Sequence, residues 1–552
     1  MNNSPATTTE TGRASWFRLW PWLVVLLVLL FVGFIRVRLL DLPLERDEGE
    51  YAYAGQLILQ GIPPYELAYN MKLPGTFFAY ALGMAVFGQT LRGVHLTLLL
   101  ANSLTLVFIF LLARKLFGAI AGVVACASYG IMSLSPGVCG TAAHANHFVV
   151  LFAVPATLLL WQAGASKGPA RLFFSGFLFG LAFLMKQQGI WFCLVGWAGL
   201  AWQVIPPQTV SRLQFAKAAS VFGVGMVVPF GLTCLYLAVA GVFAQFWFWT
   251  LAYARHYVMS DDYRLGWQYL VQHLEGTARV SAGFWLLALL ALPLALRDRE
   301  VRRRAGFAAV FWIFSFLGTA TGFIFREHYF ILVLPAFAMW VGLAVGSWRQ
   351  VFQSAILKAM PVILFVAILS WDIWVQKELF FQLSPIQASQ TIYPGNPFVE
   401  SLAVSGYIRE HSSPSDRLAI LGSEPEIYFL AQRHSATGYI YTYPLMELQP
   451  YAVKMQQEMI GEIESNQPPY LVLVMYKTSW LIRHASDATI LHWFDAYTRE
   501  YYERVGVVGV RPTGEAVRVW DAGAVNFRDP LDQFIMIYRR RPDLAAGSHH
   551  PN

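Results

Sequence analysis

Four charged side chains near the start of the chain have the types and spacing for chemistry. Asp47, Glu48 and Glu50 form a tight acidic cluster in RDEGEYAY, directly after the first long apolar run. Lys72 follows in MKLPGTFF, just before the next apolar run begins. Carboxylates and a lone lysine at one membrane surface are costly in so apolar a chain. They form either a solvated loop between helices or a site for a charged lipid headgroup and an acceptor. A carboxylate at a helix start, oriented by the amides there, is well placed to accept a proton. The structural alternative is also specific. Asp47-x-x-Glu50 is a capping pattern, with Asp47 as N-cap of a helix reaching about Gln60 and Gly61 just past its end. A cap uses one acid and leaves Glu48 beside it unexplained, so Asp47 and Glu48 are read as a catalytic or substrate-orienting pair.

The elements that must hold these residues are membrane helices. Of the 552 residues 56% are hydrophobic and 13% charged, about half the charged share of a soluble domain. Apolar runs long enough to span a bilayer recur from Trp20 to Trp374. The first of them, Trp20 to Leu40, lacks a small-residue cleavage site and reads as a retained signal-anchor. Cys126, Cys139, Cys193 and Cys234 all fall in apolar segments, which gives no disulfide framework and no metal spacing. The net charge of +7 is what basic residues at cytoplasmic helix ends produce, and calls for no nucleic acid.

Arg13 and Arg18 place the N-terminus in the cytoplasm. The stretch Gly75 to Gly88 is short for a span and is read as lying along the outer surface. Every later basic cluster then becomes cytoplasmic: Arg114–Lys115, Lys167 with Arg171, Arg212 with Lys217, Arg297 to Arg304, and Arg349 to Lys358. The expected architecture is a polytopic α-helical membrane protein of about eleven spans plus interfacial helices. Its outer loops are 41–91, 136–146, a turn at Lys186, 241–280 and a turn at Arg326. The 241–280 loop mixes Trp, Tyr, Arg and Asp as an interfacial helix would.

Residues 377–552 have ordinary polarity and are expected to form a soluble extracytoplasmic α/β domain beside a membrane domain of residues 1–376. LAILG (418–422), YLVLVMY (470–476), VRVWD and FIMIYRR read as strands, and 451–464 as an amphipathic helix.

This topology leaves isolated cations on the outer side, namely Lys72, Lys186, Arg326 and His328, while the clusters lie inside. An anionic lipid phosphate drawn to the outer face would require such an asymmetry, although a lysine that merely snorkels would satisfy Lys72. His144 and His147 have an i, i+3 spacing compatible with a metal pair, but no third ligand is near in sequence, and a hydrogen-bonded loop is the simpler reading. A divalent metal is therefore not supported by spacing.

Arg-Asp-Glu-Gly-Glu-Tyr after the first helix, Gly61-Ile-Pro-Pro-Tyr65 and Met71-Lys-Leu-Pro-Gly75 together resemble the C-type membrane glycosyltransferases. The likeness is to the bacterial branch related to protein O-mannosyltransferases and lipid A aminoarabinose transferases. GLAFLMKQQG (180–189), REHYFILVLPAFA (326–338) and SEPEIYFLAQRHSATGY (423–439) look like that branch too. The resemblance implies an inverting transfer from a polyprenyl-phosphate-linked sugar to an acceptor hydroxyl of a lipid, glycan or protein. It further implies a multi-pass protein of the bacterial inner membrane that acts on the outer face. Asp47 matches the family's base in the first outer loop, and Lys72 the lysine that meets the lipid phosphate. Lys186, Arg326, His328 and Tyr329 are further candidates for the phosphate. Tyr65, His144, Asn146, His147 and Arg255 are candidates for the acceptor side. Where the family often carries a second acid this chain has Asn146, which removes a two-acid metal site. Two other classes remain. A lipid flippase or transporter would need broken helices in corresponding halves, and no inverted repeat is visible. A catalytically inactive lipid-binding member of the fold would share all these motifs.

Overall fold

The computed structural model describes residues 10–163, 168–202, 211–258 and 263–542; Lys167 of the basic clusters lies outside them. The chain forms two compact bodies. One gathers Met1–Leu39, Leu98–Gly231 and Tyr263–Gln382, the other Leu40–Thr97, Leu232–Asp262 and Leu383–Asn552. The second body thus joins residues 40–97 and 232–262 to residues 383–552.

The first body is helical. Among the described residues, six helices of the chain are long and apolar enough to cross a membrane: Leu19–Arg38, Leu91–Phe117, Ala145–Ala163, Arg212–Val239, Arg264–Arg297 and Ala355–Val375. This is a multi-pass membrane protein. Arg36 is buried at the end of the first helix and donates to the carbonyls of Ser133 and Gly140 at 3.1 Å, satisfying chain ends that lipid cannot.

The described residues of the expected 241–280 stretch are helical: Phe243–Trp247, a π-helical turn Phe248–Tyr253, Ala254–Val258, and a helix that begins at Tyr263, reaches a kink at Ser281 where the stretch was expected to end, and continues to Arg297. Nothing in 263–280 breaks a helix, and Arg279 pairs with Glu275 one turn back at 3.9 Å. The helix deviates only at Ser281 (φ −115°, ψ 26°), whose hydroxyl donates to Asp372 at 2.6 Å.

The second body is built on the Arg46–Leu59 helix and a six-stranded sheet. The strands are β1 (Arg417–Leu421), β2 (His434–Ser435), β3 (Tyr470–Met475), β4 (Tyr502–Val510), β5 (Ala516–Trp520) and β6 (Gln533–Arg540), in the order β2-β1-β3-β6-β4-β5. β1 runs parallel to β2 and β3, and the β3–β6, β6–β4 and β4–β5 pairs are antiparallel. The four strands expected from the sequence are present. The expected helix is Ala452–Asn466, with Ala452, Met455, Met459 and Ile463 buried as its period requires. The longest strand, β4, escaped the sequence because YERVGVVGV carries two glycines, which weaken a strand signal.

The Gly75–Phe87 helix has 13 residues. At about 1.5 Å per residue it spans about 20 Å, short of a hydrocarbon core of about 30 Å.

Candidate functional site

The Arg46–Leu59 helix positions the acidic cluster, and its first turn differs from the expected cap. Glu45, not Asp47, is the N-cap, and Glu45 and Glu48 form a reciprocal capping box. The Glu48 amide donates to the Glu45 carboxylate at 2.9 Å, and the Glu45 amide to that of Glu48 at 3.2 Å. Glu48 also meets His95 Nε2 at 3.3 Å and is wholly buried. The acid that a cap seemed unable to explain is therefore the one the cap uses. Both Glu48 contacts thus serve the helix start and His95. The helix end is as expected, since Gly61 takes φ 82°, open to glycine at little cost.

This leaves Asp47 and Glu50 around Lys72. The Lys72 ammonium donates to Asp47 Oδ1 at 2.7 Å and to Glu50 Oε2 at 2.5 Å. It also lies 4.6 Å from the centre of the Tyr51 ring. From the tail, the Tyr441 hydroxyl donates to Asp47 Oδ1 at 3.3 Å. Exposure separates the two acids: the Asp47 side chain is 21% exposed and that of Glu50 is 0%. Asp47 alone of the pair can meet a substrate.

Burial pushes the Glu50 carboxyl up to about 7, against the opposing pull of Lys72. Burial also lowers the Lys72 ammonium, but Asp47 and Glu50 outweigh it and hold the group well above its usual range. Burial, then Glu50 and Asp47, raise Tyr441, which stays a donor. Glu50 thus keeps its proton where an unfolded chain, with a carboxyl near 4.5, has lost it. Its contribution to stability is complete below about pH 4.5 and is lost as pH rises through about 7. In melting curves across that window, Glu50→Gln is expected to flatten the decline. An unchanged slope would show that Glu50 does not titrate there.

A second ion pair fixes the same helix to the tail. Arg46 meets Glu424 at 2.8 Å and donates to the Ser423 carbonyl at 2.5 Å. Ser479 in turn donates to Glu424 at 2.6 Å. Gly49 allows this approach, because a Cβ there would lie 2.5 Å from the Glu426 amide nitrogen.

In the first body, Lys186 donates to Asn146 Oδ1 at 2.9 Å and lies 4.2 Å from the centre of the Tyr329 ring. Asn146 also donates to Gln188 at 3.4 Å. His144 lies in the loop before the Ala145–Ala163 helix, where its carbonyl accepts from the His147 amide at 3.0 Å, and its ring stacks on His328 with ring centres 4.2 Å apart. His147 is buried in the Ala145–Ala163 helix. Arg326 lines a cavity of about 280 Å³ with Tyr269, Gln272, His273, Thr277 and Glu327. Lys186, Asn146 and Tyr329 are thus brought together, as are His144 and His328.

Two candidates fit less well. Tyr65 is fully buried at φ 68°, and its hydroxyl holds the Lys72 carbonyl at 2.7 Å, so it shapes the lysine's loop instead of facing an acceptor. Arg255 is exposed on the short Ala254–Val258 helix. Arg46 and Glu424 lie in quoted motifs, but their pairing, like that of Tyr441 with Asp47, had no signal in the sequence, being joined across 378 to 394 positions.

The model of the dolichyl-phosphate-mannose-protein mannosyltransferase family matches residues 72–232. Undecaprenyl phosphate-α-4-amino-4-deoxy-L-arabinose arabinosyl transferases of Pseudomonas paraeruginosa and Pseudomonas aeruginosa are 31% identical over 168 residues. That match spans 28% of this chain and only 31% of those relatives. Over nearly the whole length, the structure is similar to ArnT from Cupriavidus metallidurans bound to undecaprenyl phosphate. The TM-score is 0.59 at 15% identity, covering 94% of this chain and 98% of that one. The chain has the fold of the C-type membrane glycosyltransferases. An oligosaccharyltransferase of Archaeoglobus fulgidus shares that fold more distantly, with TM-score 0.51, 14% identity and coverage of 94% and 76%. The resemblance carried by the outer-loop motifs is thereby borne out.

Proposed function

We propose that this C-type fold is an inverting glycosyltransferase. It moves a sugar from a polyprenyl-phosphate-linked donor to an acceptor hydroxyl at the outer face of the bacterial inner membrane. One observation carries the reading: a partly exposed carboxylate, Asp47, held by Lys72 and Tyr441 at the start of a buried, capped helix. The arabinosyl transferases matched in sequence and the undecaprenyl-phosphate-bound neighbour in structure support the donor class.

Asp47 takes the proton of the acceptor hydroxyl as its oxygen attacks the anomeric carbon, and the polyprenyl phosphate departs as a stable anion. Lys72 is occupied by two carboxylates, so its part is to orient Asp47 and set its charge. Lys186, which donates to the Asn146 amide and lies over the Tyr329 ring, is a candidate for the departing phosphate. Incubating purified protein with radiolabelled polyprenyl-phosphate sugars and bacterial membrane extracts tests the transfer itself. In the same assay, Lys186→Ala is expected to raise donor KM roughly tenfold or more, the worth of one charge-assisted contact. An unchanged KM would remove Lys186 from the donor site.

The N-terminus is placed in the cytoplasm and the tail outside. Ser401, a natural choice for a label, is buried against Glu426. Cysteines at the exposed positions Gly461 and Ser211 serve instead. An impermeant reagent added to intact cells should label 461 and spare 211, and the opposite pattern would invert the topology.

A further inference from the structure

The tail surface carries large aliphatic side chains in water where a soluble domain would not place them together. Leu481 and Ile482 are consecutive, 45% and 53% exposed, and Leu448 is 54% exposed. Leu481 also takes φ 51°, a left-handed conformation uncommon for a leucine, which turns the pair outward at the end of a short helix. The two loops that bear them are tied together. Ser486 donates to the Met446 carbonyl at 2.6 Å, and Tyr443 to the Thr478 carbonyl at 2.5 Å.

The same loops are anchored to a segment that chain connectivity holds at the membrane surface. The Arg212–Val239 span ends at Val239, 82% exposed, and Phe243 begins the next helix four residues on. Trp247 and Leu251 in this segment are 51% and 46% exposed, as interfacial anchors are. Tyr253 donates to Glu447, and Phe248 packs edge-on against Tyr451 with ring centres 5.2 Å apart. The loop that bears Leu448 is thus held, on either side of that leucine, by the segment that follows the span. Lys477 and His484 are exposed beside the aliphatic patch, and the nearby acid Asp487 is turned onto the Thr489 amide at 2.8 Å.

We propose that Leu448, Leu481 and Ile482 form a contact by which the tail rests on the lipid headgroup region of the bilayer. Apolar side chains dip to the acyl boundary while the neighbouring Lys477 meets anionic headgroups. The contact restrains the body that carries Asp47 and Tyr441 at the membrane surface.

The test uses the full chain in vesicles of phosphatidylethanolamine and phosphatidylglycerol. Cys126, Cys139 and Cys193 are buried, so Cys234→Ser clears the background for a single added thiol. Ile482→Cys, Leu448→Cys and the solvent control Gly461→Cys are each labelled with an environment-sensitive fluorophore. At 482 and 448, nitroxides placed near the lipid headgroups should quench at least threefold more than at 461, and aqueous iodide correspondingly less. Equal iodide quenching at all three positions, with no quenching by the lipid nitroxides, would overturn the proposal. Two independent positions keep the result readable if one variant folds poorly, and neither readout depends on transfer activity.

Discussion

Asp47→Asn should leave a folded protein that has lost at least a hundredfold in turnover, the usual worth of a positioned general base. The structure sharpens this test, because Asp47 is not the cap. Glu45 holds that place, so the substitution spares the capping box and removes one acid from the first turn. The helix-dipole cost of that loss is about 0.3–1 kcal/mol. An asparagine oxygen can still accept from Lys72 and Tyr441 but cannot take a proton. Melting temperature near that of the parent, with donor still bound and sugar transfer gone, is the expected result. Near-parental turnover would place the base elsewhere. Glu48→Gln gives the contrast: it weakens the cap and the His95 contact, so its effect should fall on stability before turnover.

What could be read from the sequence divides by range. The end of the Arg46–Leu59 helix at Gly61, the strands of the tail and the apolar period of Ala452–Asn466 are local, and local patterns announced them. The first turn of the helix was legible only as a set of acids. Glu45, Asp47, Glu48 and Glu50 lie within six positions, and several capping registers fit them equally. Only the backbone decides that Glu45 caps, Glu48 returns the bond, and Asp47 and Glu50 turn to Lys72. The 25-residue step from Asp47 to Lys72 was visible as a coincidence of charges at one membrane face. Its meaning was not, since a lysine seeking a phosphate and a lysine shared by two carboxylates look alike in sequence. The roles of Tyr441 and Glu424 lay beyond reach, because nothing local in the tail says that a tyrosine or glutamate serves a helix nearly four hundred positions earlier. The packing of the Arg46–Leu59 helix against the tail follows from these same long-range pairs.

Arg46→Met is expected to destabilise the second body by about 3–5 kcal/mol, the cost of leaving a buried carboxylate without its cation. Glu424 has no exposed side-chain surface, and Arg46 is 11% exposed. Methionine would fill the space between Phe398 and Tyr443, each with its ring centre 5.5 Å from the guanidinium, so packing is largely kept and charge is what is lost. The arginine also holds the Ser423 carbonyl and Asn396, and its removal frees the Ser423–Glu424 turn that faces the helix start. Glu424→Gln alone should cost less, because Ser479 can still donate to the amide oxygen. The double variant Arg46→Met/Glu424→Gln decides the matter, since it removes both charges. If the pair is coupled as the geometry requires, the double variant should melt above Arg46→Met alone. Additive losses would show that Arg46 stabilises through its carbonyl and amide contacts, not through Glu424. Limited proteolysis of the tail reads the same difference locally, with Arg46→Met cut fastest and the double variant partly protected.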